Sequence, residues 1–140
     1  MFKTILVALD SPELSERIMR TLDQLDKPQG KIVLAHVISP PESDFEKPAD
    51  QPYADPELGL YRHIEKQLHI YQSGLNCPSE IEIVLGEPAE EIVRLANIHQ
   101  ADLIVIGNRG LTGLNRILQQ SVSSQVVEEA PCSVLVVKPA

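Results

Sequence analysis

The sequence predicts an α/β fold in which a parallel sheet carries helices on its faces. Two observations lead to this class. Continuous apolar runs recur along the chain, which is typical of strands covered on both faces. Between these runs, apolar residues recur at helical spacing. Strands that alternate with helices form parallel sheets joined by right-handed crossovers, and 140 residues suffice for one domain over 1–140.

The apolar runs predict five strands in chain order. They cover residues 5–9, 32–38, 81–85, 103–106 and 134–137. Four helices are expected between them, each marked by apolar residues, and those of the second helix lie on one face at core-facing spacing. The apolar residues are Leu14, Ile18, Leu22 and Leu25; Tyr61, Ile64, Leu68, Tyr71 and Leu75; Ile92, Val93 and Ala96; and Val122, Val126 and Val127. Both tyrosines are therefore interpreted as packing residues.

Turn chemistry marks the boundaries of these elements. Asp10-Ser11-Pro12 is a signal for the start of a helix, and Gly86-Glu87-Pro88 turns the chain into the third helix. Residues 39–56 are rich in Pro, Asp, Glu and Ser and show no periodicity. We expect a long loop there, which either covers a site or is simply solvated.

Composition excludes several classes of function. The net charge of −8 argues against a nucleic-acid or anionic-membrane partner. No apolar stretch reaches the roughly 18 residues of a membrane helix, and the N-terminus lacks the features of a signal peptide. We therefore expect a cytoplasmic protein. The two cysteines and four histidines show no metal-ligand spacing, so no metal site is expected.

A glycine-rich segment after the fourth strand is the strongest indication of a binding site. Residues 107–113 read Gly-Asn-Arg-Gly-Leu-Thr-Gly and lead toward Ser121. Glycines let the backbone approach an anion, and helix N-termini donate N–H groups to it. Residues 103–127 contain no acidic residue but include two basic ones, Arg109 and Arg116. The spacing is neither that of a P-loop nor GxGxxG.

Position in the sheet adds a second element to this site. Ligands of open parallel sheets bind beyond the carboxyl ends of the strands, where strand order reverses. Asp10 follows the first strand and Gly107 ends the fourth. We therefore expect them to face one crevice.

Five fragments in this order resemble the universal stress protein family. They are 5–10 (ILVALD) with Ser15, 34–38 (LAHVI), 86–89 (GEPA) with Ile92, 102–110 (DLIVIGNRG) and 131–137 (PCSVLVV). The resemblance implies a single Rossmann-like domain with sheet order 3-2-1-4-5. It also implies a homodimer joined through strand 134–138. An apolar strand at a sheet edge favours such pairing, although Lys138-Pro139 could blunt that edge.

Nucleotide-binding members of that family carry the motif G-x2-G-x9-G-S/T. Gly107, Gly110 and Ser121 match it, whereas Gln120 replaces the third glycine. If that position needs a positive φ, glutamine is strained there. If the position needs only a close approach of the backbone, the side chain would crowd a phosphate. Alternatively, its amide would donate to a phosphate oxygen.

The resemblance assigns roles to the candidate residues. Asp10 would accept from the ribose hydroxyls, Val37 would meet adenine through its backbone, and Ala8 would lie beside them. Phosphates would meet a second group. This group comprises Gly107, Arg109, Gly110, Gln120, Ser121, Val122 and Ser123. Asp10 and Ser121 are also plausible as plain helix caps, and Arg109 as a solvated loop residue.

Two functions remain open on these residues. The first is a stress-response signalling module that binds an adenine nucleotide, with ATP, with or without Mg²⁺, as the cofactor. The second is a dimeric interaction protein of the same family without a nucleotide. No catalytic residue is expected, because the sequence lacks a Walker lysine and a positioned general base, although slow ATP hydrolysis stays open. A receiver domain is excluded, because Leu85-Gly86-Glu87 offers no phosphoacceptor aspartate after the third strand.

Overall fold

A parallel five-stranded sheet organises the chain, for which we used a computed structural model that describes residues 2–39, 56–108 and 122–139. The strand order is β3-β2-β1-β4-β5, so the α/β class and the order 3-2-1-4-5 are confirmed. The strands are β1 (Thr4–Ala8), β2 (Lys31–Ile38), β3 (Ser79–Leu85), β4 (Leu103–Gly107) and β5 (Ser133–Val137). The helices are α1 (Pro12–Asp23), α2 (Pro56–Ser73), α3 (Pro88–His99) and α4 (Val122–Glu129). Of the expected loop 39–56, residues 40–55 lie outside the described residues.

The central strand β1 is buried along its whole length because it pairs with β2 on one side and with β4 on the other. Its side chains alternate between two cores. Ile5 and Val7 pack in the core that includes α1 and α2 residues. Leu6 and Ala8 pack in the core that includes α3 and α4 residues. Because helices cover both faces of the sheet, the sequences of the strands are continuous apolar runs.

Helix starts follow the turn signals in the sequence. Pro12 and Pro88 stand in the first turns of α1 and α3, where a missing N–H costs nothing. The Glu87 carboxylate accepts a hydrogen bond from the Glu90 N–H at 2.8 Å and thereby satisfies one of the unpaired donors at that end. Short turns thus join β1 to α1 and β3 to α3.

One expected packing residue is exposed instead, and so is the last residue of β3. Tyr61 is 39% exposed, so the prediction that it packs inward is wrong, and Leu85 is 59% exposed. Helical spacing fixes the side of the helix on which Tyr61 lies, but not whether the sheet extends beneath that turn. Leu85 is the last residue of an edge strand, where less of the sheet and its helices can cover it. None of the described helices is long and apolar enough to cross a membrane.

Candidate ligand-binding site

A pocket of about 350 Å³ opens beyond the carboxyl ends of β1 and β2, between α1 and α2. Its lining residues come from four consecutive elements. They are Leu9, Asp10, Pro12, Ser15, His36, Val37, Ile38, Ser39, Leu60, His63, Ile64, Gln67, Leu68 and Tyr71. The volume falls within the range of small-molecule sites. The pocket also adjoins β1, the central strand at which the strand order reverses. Ligands of open parallel sheets bind near this point.

Asp10 and Val37, two of the predicted site residues, both line this pocket. Asp10 is exposed and lies two residues after the end of β1, whereas Val37 is half-buried near the end of β2. The register pairs Ala8 with Ala35, so the two strand ends bring Asp10 and Val37 to one rim. The structure therefore brings together a carboxylate and an exposed strand end beside an apolar cavity.

Gly107 ends β4 directly beside β1, as the register between Ala8 and Ile106 shows. It does not line the pocket of about 350 Å³, which lies on the β2 side of β1. A Cβ atom built on Gly107 would stand 2.5 Å from Leu14 Cγ. A glycine is therefore required here for the packing of α1 against β4 as well as for any close approach of a ligand.

The remaining described candidates are Ala8 of β1 and Val122 and Ser123 of α4, and none of them lines this pocket. Ala8 is buried in the core that includes Val126 of α4. At the start of α4, Val122 is 36% exposed, whereas Ser123 is only 5% exposed. Ser123 is therefore largely enclosed, whereas Val122 is accessible at the surface. Arg109, Gly110, Gln120 and Ser121 lie outside the described residues.

His36 is a pocket residue to which the sequence interpretation gave no role. It lies on β2, and its Nδ1 is 2.8 Å from the Leu9 carbonyl oxygen at the end of β1. The Leu9 N–H donates to the Ala35 carbonyl oxygen at 2.8 Å. Burial lowers the pKa of His36, against the opposing effect of its hydrogen bond to Leu9. The side chain is therefore neutral at pH 7 and fixed between the two strands that form the pocket floor.

Helix α2 contributes three further polar side chains that the sequence interpretation missed. His63, Gln67 and Tyr71 all line the pocket. They recur every four residues, the spacing that places side chains on one helical face. The sequence contains this spacing, but the apolar residues Ile64 and Leu68 beside it indicated a core-facing helix and drew the interpretation to packing. Tyr71 is thus both a packing residue and a pocket residue.

Metal and thiol chemistry have little support in the part of the chain that the structure describes. Among residues 2–39, 56–108 and 122–139, no three His, Cys, Asp or Glu side chains are grouped so as to hold a metal ion. Cys77 and Cys132 are free and half-buried. Burial raises the pKa of both thiols, which disfavours the reactive thiolate.

The fold and the pocket define the class, a doubly wound α/β protein with a pocket at the carboxyl ends of its strands. Within that class, the chain belongs to the universal stress protein family, whose model matches residues 1–138. A universal stress protein from Thermus aquaticus is 33% identical over 99% of this chain and 100% of its own length. The predicted family is therefore confirmed.

Solved structures show the same architecture. The chain is similar to the hypothetical protein MJ0577, with a TM-score of 0.79, 28% identity and coverage of 100% of this chain and 98% of that one. A universal stress protein in complex with cAMP gives a TM-score of 0.72 at 22% identity, over 99% and 98% of the two chains. An Arabidopsis thaliana family member with AMP bound gives 0.61 at 24% identity, over 99% and 92%. At these identities the two nucleotide complexes show the shared fold alone.

Proposed function

We propose that this chain is a signalling module of the stress response that binds an adenine nucleotide, ATP in the first instance, in the cytoplasm. One observation carries the proposal. Asp10 and Val37, which the family resemblance assigns to ribose and adenine, line the same pocket at the carboxyl ends of β1 and β2. The neighbours whose structures hold cAMP and AMP support the class of ligand.

The described residues fit such a ligand in three places. The pocket has about 350 Å³ and mostly apolar walls, which suits a purine base. At its rim, the Asp10 carboxylate is an acceptor for the two hydroxyls of a ribose. Across β1, backbone N–H groups at the start of α4 would donate to the phosphates.

The remaining assignments complete the phosphate end of this proposal. Arg109, Gly110, Gln120 and Ser121 would surround the phosphates together with Ser123, and Mg²⁺ would enter with ATP. None of these residues is given a catalytic role. The nucleotide would act through the conformation of the chain or the choice of partner, because the coupling of a ligand to a protein state requires only differential affinity.

Pairing of two copies through 134–138 is part of the same proposal. β5 lies at the edge of the sheet, and Val134 to Val137 form an apolar strand there. An edge strand of this kind is stabilised when a second copy covers it. Sedimentation equilibrium of the purified protein should give twice the mass of one chain, and a monomer at high micromolar concentration would contradict the pairing.

The second candidate function is a dimer that works through its surfaces without a nucleotide. Gln120 in place of the third motif glycine favours it. Chromatography of acid extracts from purified protein, together with thermal shifts for ATP, ADP, AMP and cAMP, separates the two functions. Nucleotide in the extract or a ligand-dependent rise in Tm is expected. An empty extract and unchanged Tm at millimolar nucleotide would favour the second function.

A further inference from the structure

We propose that His36 selects the base in this pocket, accepting a hydrogen bond from an exocyclic amino group and rejecting a base with a keto oxygen at that position. The inference rests on the proposed nucleotide function and makes it more specific. It assigns to the β2 side of the site a preference for adenine over hypoxanthine and guanine, through a side chain that is held in a single protonation pattern.

The tautomer of His36 follows from its one fixed partner. A backbone carbonyl oxygen can only accept, so the 2.8 Å contact with Leu9 requires a proton on Nδ1. A neutral imidazole carries one N–H and one acceptor nitrogen. With the proton committed to Nδ1, Nε2 must be the acceptor.

The surroundings of His36 keep the ring neutral. Burial lowers its pKa more strongly than the bond to Leu9 raises it. The titratable groups that share the pocket are Asp10 from the end of β1 and His63 and Tyr71 from α2. Lys and Arg are absent from the described residues that line it. The acceptor at Nε2 is therefore maintained at neutral pH.

Selectivity follows from the rigidity of this acceptor. The other polar side chains from α2, Gln67 and Tyr71, can reorient to donate or to accept. His36 cannot, because turning the ring would break its bond to Leu9. An amino group at C6 of a purine complements the Nε2 lone pair, whereas a C6 keto oxygen would place two acceptors against each other. Sites that leave buried polar groups unpaired reject the wrong ligand strongly.

The first test measures the tautomer without any nucleotide. Long-range ¹⁵N–¹H correlation spectra of uniformly labelled protein at pH 7, assigned through His36→Gln, distinguish Nδ1–H from Nε2–H imidazoles. The expected spectrum shows His36 neutral with its proton on Nδ1. A neutral Nε2–H ring or an imidazolium would overturn the inference and leave the proposed function untouched.

The second test compares the affinities of AMP and IMP, which differ only at C6 and N1 of the base. Wild-type protein should bind AMP at least about tenfold more tightly than IMP, since tenfold is the smallest discrimination expected of one good polar contact. In His36→Phe that ratio should fall toward one. His36→Gln, whose amide both donates and accepts, should bind both nucleotides with little preference.

Matched controls keep the second test interpretable. His69→Gln makes the same change at an exposed position of α2, where His69 Nδ1 lies 3.1 Å from Gln72 Oε1, and it should keep the wild-type ratio. The readout is a ratio, so a modest loss of stability in a variant does not imitate the effect. A wild-type ratio retained in His36→Phe would overturn the inference. Binding of neither nucleotide by wild-type protein would overturn the proposed function, and the inference with it.

Discussion

The two ends of the sheet are built differently, although the same strands form both. At the amino end, polar groups pair with one another. Asp102 Oδ2 accepts from the backbone N–H groups of Lys3 and Thr4 at 2.8 and 3.0 Å. Lys31 Nζ lies 2.8 Å from Glu80 Oε2 and 3.2 Å from His99 Nδ1. These contacts join neighbouring elements at this end of the sheet, where a smaller pocket of about 190 Å³ also lies.

At the carboxyl end, polar groups line a larger pocket. Asp10, His36, His63, Gln67 and Tyr71 line a pocket of about 350 Å³. The helices start there, so their N–H groups face the same side as the strand ends. Pairing at the amino end therefore stabilises the fold, whereas the polar groups at the carboxyl end surround a space that a ligand can fill.

Glycine substitutions at the two ends should produce the largest effects. Gly30→Ala would place a Cβ atom 2.6 Å from the Lys3 carbonyl oxygen, and Gly107→Ala would overlap Leu14. Each should lower the free energy of unfolding by about 1–3 kcal/mol, as overpacking does. Urea denaturation measures both losses, and Gly107→Ala alone should also weaken nucleotide binding.

A second substitution tests whether the loss in Gly107→Ala comes from overlap with Leu14. Adding Leu14→Ala to Gly107→Ala opens the space that the new methyl group needs, so the double variant should be less destabilised than the sum of the single changes. Additive losses would contradict the account of Gly107. Equal weakening of nucleotide binding by both glycine variants would contradict the division between the two ends.

Asp102 provides a pH-dependent test of the amino end. Backbone N–H groups of Thr4 and Lys3 lower the pKa of its carboxyl. Its stabilising effect is therefore complete above the unfolded-state pKa of about 3.9 and is lost as pH falls through the lower folded-state pKa. Asp102→Asn, which keeps an acceptor oxygen, should lower Tm at pH 7. A difference that persists at pH well below 3.9 would contradict this assignment.

His36 gives the corresponding test at the carboxyl end, where the fold keeps the side chain neutral rather than charged. Burial lowers its pKa, so below about pH 6.5 the unfolded chain binds a proton that the folded chain does not. Stability should then fall with decreasing pH until the folded-state pKa is reached. Chemical denaturation at several pH values should show a steeper fall in wild-type protein than in His36→Gln. Parallel curves would show that His36 is not held neutral.

The smallest effect is expected for the Lys31 and Glu80 ion pair. Their side chains are 30% and 50% exposed, and exposed pairs contribute at most about 1 kcal/mol. Lys31→Gln should therefore change the free energy of unfolding by less than that, and added salt should reduce the change further. A loss of several kcal/mol in urea denaturation would show that the amino end depends on this pair far more than its exposure indicates.

Much of the fold could be predicted because its signals are local. The apolar runs of the strands and the turn at Asp10 follow from neighbouring residues, and the family resemblance supplied the strand order. The ligand-binding roles of the site residues stay predictions. Asp10 and Val37 line the pocket, whereas Arg109, Gly110, Gln120 and Ser121 lie outside the described residues.

The missing parts depend on contacts between distant segments. His36 gains its role from the Leu9 carbonyl, 27 residues away in the chain. Gly107 was interpreted through phosphate binding alone, and its tight contact with Leu14 becomes visible only when α1 packs against β4. Tyr61 shows the converse error, since its spacing indicated the core and the folded helix leaves it exposed.

Calorimetric titration of nucleotide-free protein with Mg-ATP measures whether the pocket binds a nucleotide, with Asp10→Ala as the matched variant. We expect micromolar affinity in the wild-type protein. In Asp10→Ala the affinity should fall by about 10- to 100-fold, the cost of losing a charged hydrogen bond. No heat at several temperatures and no thermal shift at millimolar ATP would contradict the nucleotide function, and wild-type affinity in Asp10→Ala would contradict the assigned site.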